Sequence, residues 1–503
     1  MATSNSADKG DDETHNVEIA DTAKATADPS VQIYADFSAN NDQWKAIQNK
    51  KLLRKIDVRL LPFLILMYLL NFLDRSNLAQ ARLGSLEADL GMNGTDFNLA
   101  TSILFVGYLT MQLPSNLLLT RVRPSVYLGT VMTLWGVVSA SQAATKSFAG
   151  LLACRIFLGI TEAPFFPGAI MLLSSWYTRQ ELAHRIAWFY SGSSLANMFG
   201  GLLAAAILGN LDGAHGIDGW RWLFIIEGVI TVGIAITSIF VLPDFPGTAK
   251  WLSDEERMFA QWRMIDDAKE TDDASSTSLW TGLQLALGDY RLYIFILFQH
   301  LSLLSQTFQY FFPTIVNTLG YDRITTLLLT APVWLATFLV SLFVTWTSGR
   351  SSDRSIHIAC LMLVSLLGNI IVVSATSTGA RFFAMFLMPM GAVSAYQIII
   401  AWVANSFLRP AVKRSASIAI CNMVGNTASI YGSYMYPKSD GPRYLAGGAA
   451  VAGVCLLVAV FALVLRVVHV KENQKLEKLE NEAEVGDLGE LRPRRGLGFR
   501  YVI

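Results

Sequence analysis

Four ionisable residues lie inside long apolar stretches of the sequence, where charged side chains are unfavourable. They are Asp74 and Arg75 and, further along the chain, Arg155 and Glu162. A charged side chain in the middle of a membrane costs at least about 2.5–3.5 kcal/mol by insertion scales, so each of these residues is a functional candidate. The alternatives are that Asp74 and Arg75 form a pair at the membrane interface, and that Arg155 and Glu162 form a static pair that braces neighbouring helices.

The rise of a helix allows the depths of these residues to be compared. At about 1.5 Å per residue, Asp74 lies about 24 Å from the start of its helix near Val58, and Arg155 lies about 6 Å from the start of its own near Leu151. The two helices are expected to run in opposite directions through a core about 30 Å thick, so the two residues are level. Glu162 follows Arg155 by two turns. The four side chains are therefore expected to line one cavity, which could bind and release charged species.

The composition indicates that lipid surrounds most of the chain. Of the 503 residues, 52% are hydrophobic and only 16% are charged, whereas soluble proteins carry about 25% charged residues. Apolar segments of about 20 residues, long enough to cross a bilayer, recur along the chain. They lie near 57–80, 97–120, 125–145, 148–175, 185–210, 221–242, 291–318, 326–347, 356–376, 380–407, 413–435 and 443–469. The sequence therefore predicts an all-α integral membrane protein with twelve transmembrane helices in two six-helix bundles.

The spacing of the apolar segments divides the chain into two halves. The predicted parts are a disordered cytosolic N-terminal tail (1–56), an N-terminal six-helix bundle (57–242), a cytosolic linker with an amphipathic helix (243–290), a C-terminal six-helix bundle (291–470) and a cytosolic C-terminal tail (471–503). In the linker, charges mix with Trp251, Phe259 and Trp262, as in a helix lying on the inner leaflet. Lys and Arg concentrate in alternate loops, which places both termini in the cytosol. Repeated halves are typical of secondary transporters that hold their substrate near the membrane midplane.

Other polar residues in the apolar segments are weaker candidates. Gln306 and Gln309 on the seventh helix could contact a ligand, although such side chains more often join helices. Glu227 is expected to be structural. The segment Pro164–Gly168 is expected to loosen the fourth helix or to form a packing kink. Asn93 begins a sequon and is a possible glycosylation site, close to the start of the second helix.

The sequence lacks the motifs of several other protein classes. It has no glycine-rich phosphate loop, no Gly-x-Ser-x-Gly elbow and no His-Glu-x-x-His helix. Its net charge of zero gives no support for nucleic-acid binding. Its four cysteines lie in apolar stretches and have no metal-ligand spacing. We therefore expect no enzyme activity, no cofactor and no metal site, and we expect a gradient rather than ATP to drive any transport.

Three runs of sequence resemble the major facilitator superfamily. They are residues 68–77 (YLLNFLDRSN), 155–163 (RIFLGITEA) and 437–444 (PKSDGPRY). Within that superfamily they are most similar to the anion:cation symporters, and specifically to the fungal allantoate permease family. The resemblance implies a proton-coupled carrier of small organic anions such as allantoate, nicotinate, pantothenate or related carboxylates.

The resemblance also implies roles for the four membrane residues. Asp74 and Glu162 would exchange protons, Arg75 would bind the substrate carboxylate, and Arg155 would tune a carboxylate. A mechanism consistent with these roles pairs Asp74 with Arg155 in the empty carrier. A substrate anion that engages the two arginines would weaken that pair, so Asp74 would take up a proton and travel with the anion.

Further residues are implied in the cavity and at the cytosolic gate. Cavity roles fall on Tyr108, Trp402 and Asn422. Rocking of the two halves would alternate access, with Arg121, Asp353 and Arg354 latching the cytosolic side. The superfamily's loop between the second and third helices usually carries an Asp-Arg pair, and the corresponding loop at Arg121 has no acid.

These observations predict a monomeric secondary active transporter of the plasma membrane. It would take a small organic anion and a proton across the lipid bilayer into the cell. An exporter of a drug or a fungal secondary metabolite on the same fold is the alternative. A nutrient sensor is a second alternative, although a sensor would need a long folded cytosolic extension that these tails do not resemble.

Overall fold

The computed structural model describes residue 37 and residues 41–485, apart from 120–121, 270–278, 352, 408–410 and 442. All regular secondary structure in these residues is helical. The α-helices, numbered in chain order, are α1 Asp42–Ala81, α2 Leu86–Asp89, α3 Asp96–Leu119, α4 Pro124–Ser141, α5 Phe148–Glu162, α6 Phe165–Trp176, α7 Arg179–Asn210, α8 Gly219–Val241, α9 Asp254–Lys269, α10 Leu279–Leu287, α11 Tyr290–Leu304, α12 Phe312–Asn317, α13 Arg323–Arg350, α14 Ser355–Ser374, α15 Thr378–Ser406, α16 Ala411–Asn426, α17 Ala428–Gly432 and α18 Leu445–Val485.

The twelve-helix membrane fold predicted from the sequence is confirmed. Eight spans among the described residues are long and apolar enough to cross a membrane: α1, α5 with α6, α7, α8, α13, α14, α15 and α18. The other four predicted spans coincide with α3, with α4, with α11 and α12, and with α16 and α17. The apolar segments form helices because a lipid-exposed backbone must satisfy its own hydrogen bonds.

Local signals fix where several helices begin. The α7 helix starts with a capping box, in which the Glu181 carboxylate accepts a hydrogen bond from the Thr178 backbone N–H at 3.1 Å. The Asp322 carboxylate caps α13 by accepting from the backbone N–H groups of Ile324 and Thr325, both at 3.1 Å. These caps satisfy N–H groups that the helix itself leaves without partners.

Within the part of the chain that the structure describes, three of the predicted spans are broken into two helical pieces. The fourth span divides after Glu162, where Pro164 follows and α6 begins at Phe165. This break fits both alternatives given for Pro164–Gly168, a loosened helix and a packing kink. The seventh span passes from α11 through a 3₁₀ turn, Thr307–Phe311, into α12. The eleventh span divides at Thr427, between α16 and α17. Irregular backbone at membrane depth is tolerated where it lines a cavity or is buried in protein.

The two halves contact each other along α7 and α13. A side chain at Gly201 of α7 would come within 2.1 Å of the Thr330 hydroxyl of α13, so the absence of a side chain permits this close approach. At the end of the same helices, Arg323 Nη2 donates to the Leu208 carbonyl at 2.9 Å and to Asp212 at 3.2 Å. These contacts close the predicted outer side of the protein.

The structure differs from the sequence predictions in the tail and the linker. Residues 42–56, predicted as part of a disordered tail, are helical and belong to α1. The aromatic face of α9, predicted to lie on the inner leaflet, packs on protein instead: Phe259 and Trp262 are buried, and Phe259 stacks edge-on to Trp44 at 5.7 Å. Lys55 of α1 also pairs with Glu256 of α9 at 2.5 Å. An amphipathic face binds whichever apolar surface it meets, and here the extension of α1 supplies that surface.

The structure describes the predicted tails only in part. In the C-terminal tail, residues 471–485 continue α18 as a helix. Residues 1–36, 38–40 and 486–503 of the predicted tails, and residues 270–278 of the predicted linker, lie outside the described residues.

Candidate functional site

A cavity lies between the two halves, in the middle of the bundle. It encloses about 660 Å³ when the open space at its mouth is counted. Both halves contribute to its wall. The 17 lining residues are Tyr68, Asn71, Phe72, Arg75, Tyr108, Phe166, Tyr190, Ser193, Leu303, Gln306, Gln309, Tyr310, Trp334, Val393, Tyr396, Asn422 and Asn426.

Arg75 reaches this cavity from α1 and forms an ion pair with Glu162 at the end of α5. Arg75 Nε donates to Glu162 Oε2 at 2.5 Å, and the side chain of Glu162 is completely buried. The guanidinium lies 4.9 Å from the ring centroid of Tyr108 and 5.7 Å from that of Phe72, close enough for cation–π attraction. Glu162 is bonded to Nε of Arg75. Tyr108 interacts with the same guanidinium, so a ligand that binds the two Nη groups would share them with Tyr108.

Arg155 lies beside this pair, in a smaller cavity. Arg75 and Arg155 both line that cavity, together with Ser76 and Tyr310. Arg155 is 1% exposed, and its Nε and Nη2 have no hydrogen-bond partner within the described residues. A buried guanidinium with unused donors is unfavourable unless an acceptor joins it. The two arginines therefore line one small cavity beside the central one, and Glu162 is bonded to the first of them.

Asp74 points away from this site, into the core of the N-terminal bundle. Its Oδ1 accepts from the Ser139 hydroxyl at 2.6 Å, and its Oδ2 accepts from Trp135 Nε1 at 3.1 Å and from the Thr231 hydroxyl at 3.0 Å. The expectations that all four ionisable side chains line one cavity and that Asp74 pairs with Arg155 are therefore wrong for this conformation. Consecutive residues of a helix do not share a face, so Asp74 and its neighbour Arg75 meet different helices.

Most of the other predicted cavity residues lie where they were expected. Tyr108, Gln306, Gln309 and Asn422 all line the central cavity. Trp402 does not fit the prediction. It is fully buried in the C-terminal half, where its ring packs edge-on against Phe295, Phe298 and His469. A large apolar ring is stabilised by such a core whether or not a ligand is near.

The sequence analysis missed several residues of the cavity wall. On α1, Tyr68 and Asn71 precede Arg75 by seven and four residues and share its face, so helical spacing could have identified them. Tyr190, Tyr396 and Tyr310 come from three other helical segments. No spacing within one helix could identify these tyrosines, because they meet only when the two halves pack together.

The predicted gate residues lie at the predicted cytosolic side of the C-terminal half. Asp353 forms an ion pair with Arg466 of α18 and accepts from the Ser355 hydroxyl at 2.6 Å. The Nη2 atom of Arg354 lies 2.7 Å from the side-chain amide of Asn405. These contacts tie α14 to other helices of the same half. Arg121 lies outside the described residues.

The predicted glycosylation site is at the surface. Asn93 is exposed, and its Nδ2 donates to the Gly91 carbonyl at 3.1 Å. Its backbone N–H bonds to the Asp96 carboxylate at 2.9 Å, directly before α3. The sequon therefore lies in the turn that leads into the second span, and its modification stays a prediction.

Sequence comparison places most of the chain in one family. The profile described as Major Facilitator Superfamily matches residues 64–433. The MFS-type transporter cnsO of Penicillium expansum is 34% identical over 505 residues, covering 95% of this chain and 95% of that protein. The major facilitator-type transporter hxnP of Emericella nidulans is 32% identical over 429 residues, covering 82% of this chain and 84% of that protein.

Solved structures agree on the fold. The structure of the proton:xylose symporter XylE bound to 6-bromo-6-deoxy-D-glucose aligns with a TM-score of 0.61 at 14% identity, covering 82% of this chain and 96% of that chain. A bacterial homologue of the human lysosomal transporter Spinster, inward-facing and unoccupied, aligns with a TM-score of 0.58 at 14% identity, covering 84% and 96%. At these identities the likeness concerns the fold alone.

Proposed function

Because the chain belongs to the major facilitator superfamily and its relatives are transporters, we propose that it is a proton-coupled symporter of a small organic anion. The three sequence runs that resemble the fungal allantoate permease family support this subgroup. Import across the plasma membrane is the proposed direction. Both termini are proposed to be cytosolic, since basic residues concentrate in the loops assigned to that side.

The charged residues beside the central cavity support the proposal. Arg75 and Arg155 bring two positive charges to adjoining cavities, and Glu162 is the acid that forms an ion pair with Arg75. Asp74 is committed to three donors on the other side of α1. Among the described residues, two buried donors of Arg155 also have no acceptor. A bound carboxylate would supply acceptors for these donors.

The Arg75–Glu162 pair offers a route from anion binding to proton binding. A carboxylate that binds the two Nη groups of Arg75 shares the guanidinium charge with Glu162, and this weakens the Glu162 ion pair. Glu162 is completely buried, and a buried carboxylate that loses its counter-charge is more stable when it is protonated. Anion and proton would then be carried together.

Asp74 is proposed as a second proton-binding acid, coupled to the site through Arg155. The Arg155 charge acts on both Glu162 and Asp74. An anion bound beside Arg155 would offset part of its positive charge. Asp74 would then experience a weaker positive potential. Asp74 would then respond to substrate without touching it.

Transport by variants in proteoliposomes tests this proposal. In a symporter the returning empty carrier must release its proton, whereas exchange of labelled for unlabelled substrate does not require that step. We expect Glu162→Gln to abolish accumulation driven by an imposed pH gradient but to retain exchange. We expect Asp74→Asn to reduce both activities, because an amide cannot accept from all three donors. The matched control is Glu227→Gln, another buried acid, which contacts neither arginine in the structure.

Each outcome of this test has a clear meaning. Uphill uptake by Glu162→Gln at the wild-type rate would contradict Glu162 as a proton carrier. Wild-type vesicles that accumulate no labelled allantoate, nicotinate or pantothenate, but lose a preloaded compound on energisation, would favour the exporter.

A further inference from the structure

The wall of the central cavity is rich in aromatic rings and poor in aliphatic side chains. Eight of the 17 lining residues are Tyr, Phe or Trp, whereas aromatic residues make up 11% of the chain. Leu303 and Val393 are the two aliphatic residues of the described wall, and Arg75 is its one charged residue. A flexible aliphatic ligand would more often be matched by Leu, Ile and Val. The wall is therefore suited to the flat face of a ring.

The rings approach the cavity from both halves of the protein. Tyr190 of the N-terminal half meets Tyr396 of the C-terminal half with their centroids 5.6 Å apart. Tyr190 also packs against Tyr68 at 5.5 Å, and Tyr310 packs against Phe105 at 5.6 Å. Offset and edge-to-face contacts at these distances are the arrangements that aromatic rings prefer. A planar ligand could make the same contacts with rings of both halves.

The anion-binding group lies within this aromatic wall. The Arg75 guanidinium is near the rings of Tyr108 and Phe72, which also line the cavity. A carboxylate bound at the Nη groups would therefore place the atom attached to it next to aromatic surface. A carboxylate joined directly to a ring would put that ring among the wall residues.

The remaining polar groups of the wall are neutral. Gln306, Gln309, Asn422 and Asn426 come from the broken seventh and eleventh spans and supply both donors and acceptors. They could bind a ring nitrogen or a small neutral substituent. No acidic or basic residue of the described wall opposes Arg75, so a second charge on the ligand would have no partner.

We propose that the cavity selects small planar aromatic or heteroaromatic monocarboxylates over saturated and polyhydroxylated ones. This inference rests on the proposed function, since it assumes that an organic anion binds at Arg75. One aromatic pair contributes about 0.5–1.5 kcal/mol beyond the area it buries, which corresponds to about a 2- to 12-fold difference in affinity. We expect a difference of at least this size between an aromatic acid and its saturated counterpart.

Equilibrium binding to the purified full-length protein in detergent tests the inference. The probes are benzoate, nicotinate, cyclohexanecarboxylate and gluconate, each measured by isothermal titration calorimetry. Benzoate and cyclohexanecarboxylate carry the same carboxylate on rings of equal carbon number, so their affinity ratio isolates the planar ring. We expect benzoate and nicotinate to bind more tightly than the other two.

Substitution at one ring of the wall provides the structural control. Tyr310→Leu should reduce the benzoate to cyclohexanecarboxylate ratio about 2- to 12-fold, whereas Tyr310→Phe keeps the ring and should keep the ratio. An equal affinity of wild-type protein for benzoate and cyclohexanecarboxylate, or tighter binding of gluconate, would overturn this inference and leave the proposed function intact. An unchanged ratio in a folded Tyr310→Leu variant would also overturn it. Failure of all four acids to bind would overturn the inference and the proposed function together.

Discussion

Replacement of Arg75 by Lys tests the central contact of the proposed site. Arg75 donates to Glu162 through Nε, and its two Nη groups are the proposed donors to the substrate carboxylate. A Lys ammonium is a point charge on a flexible chain and cannot form both contacts in one plane. The variant therefore loses about one charged hydrogen bond to the substrate, worth about 1.5–3 kcal/mol, which corresponds to about 10- to 150-fold weaker binding.

The assay is the affinity for a labelled monocarboxylate, with exchange in preloaded vesicles as a second measurement. Arg82→Lys is the matched control, because Arg82 is also a buried arginine, directly after α1, but pairs with Glu87 at 2.8 Å and lies over the Phe97 ring at 4.1 Å. We expect the control to bind the probe like wild-type protein. An affinity within about threefold of wild type in Arg75→Lys would refute a two-donor contact with substrate and would leave Arg75 as a structural partner of Glu162.

Two further predictions concern stability and the outer closure. Burial raises the pKa of Asp289, but hydrogen bonds from Arg291 and Lys413 outweigh it and hold that pKa well below its ordinary value. The ionised Asp289 carboxylate therefore stabilises the folded protein at neutral pH, and this contribution is lost when acid protonates it. Asp289→Asn should lower the free energy of unfolding by about 1.5–3 kcal/mol at neutral pH and by less in acid. Thermal unfolding in detergent at neutral pH and below about pH 4, the ordinary pKa of an Asp side chain, measures this difference. A loss of stability that is equal at the two pH values would contradict the prediction. Loss of the half-exposed Asp212–Arg323 pair through Asp212→Asn should increase the labelling of a cysteine at Leu211 by an impermeant maleimide about 2- to 5-fold; unchanged labelling would show that the pair does not hold the outer side closed.

The sequence was sufficient to predict the membrane fold, because the bilayer imposes a length and a composition on every spanning helix. Each span must be about 20 residues long and apolar, and this signal survives without knowledge of the neighbouring helices. Breaks in spans were also partly predictable, since Pro164 cannot donate the backbone hydrogen bond that a continuous helix needs. The high cost of charge in lipid similarly identified Arg75, Arg155 and Glu162 as site candidates.

The extension of α1 and the docking of α9 show where sequence reasoning was limited. Both segments are polar enough to be exposed, and their few aromatic residues could equally contact lipid or protein. The contact of Phe259 with Trp44 joins residues more than 200 positions apart. Local composition determines that a segment is amphipathic, but it does not determine which apolar surface covers it.

The partners of the buried charges were decided only by the tertiary structure. Depth along a helix placed Asp74 level with Arg155, but depth leaves the direction of each side chain around the helix axis undetermined. In the folded protein, Asp74 turns toward Trp135 and Thr231, while Arg75 turns toward Glu162 and the cavity. The aromatic wall arises in the same way, from rings on separate helices of both halves. Such groups meet through packing between helices distant in sequence, and a one-dimensional pattern contains their spacing but not their neighbours.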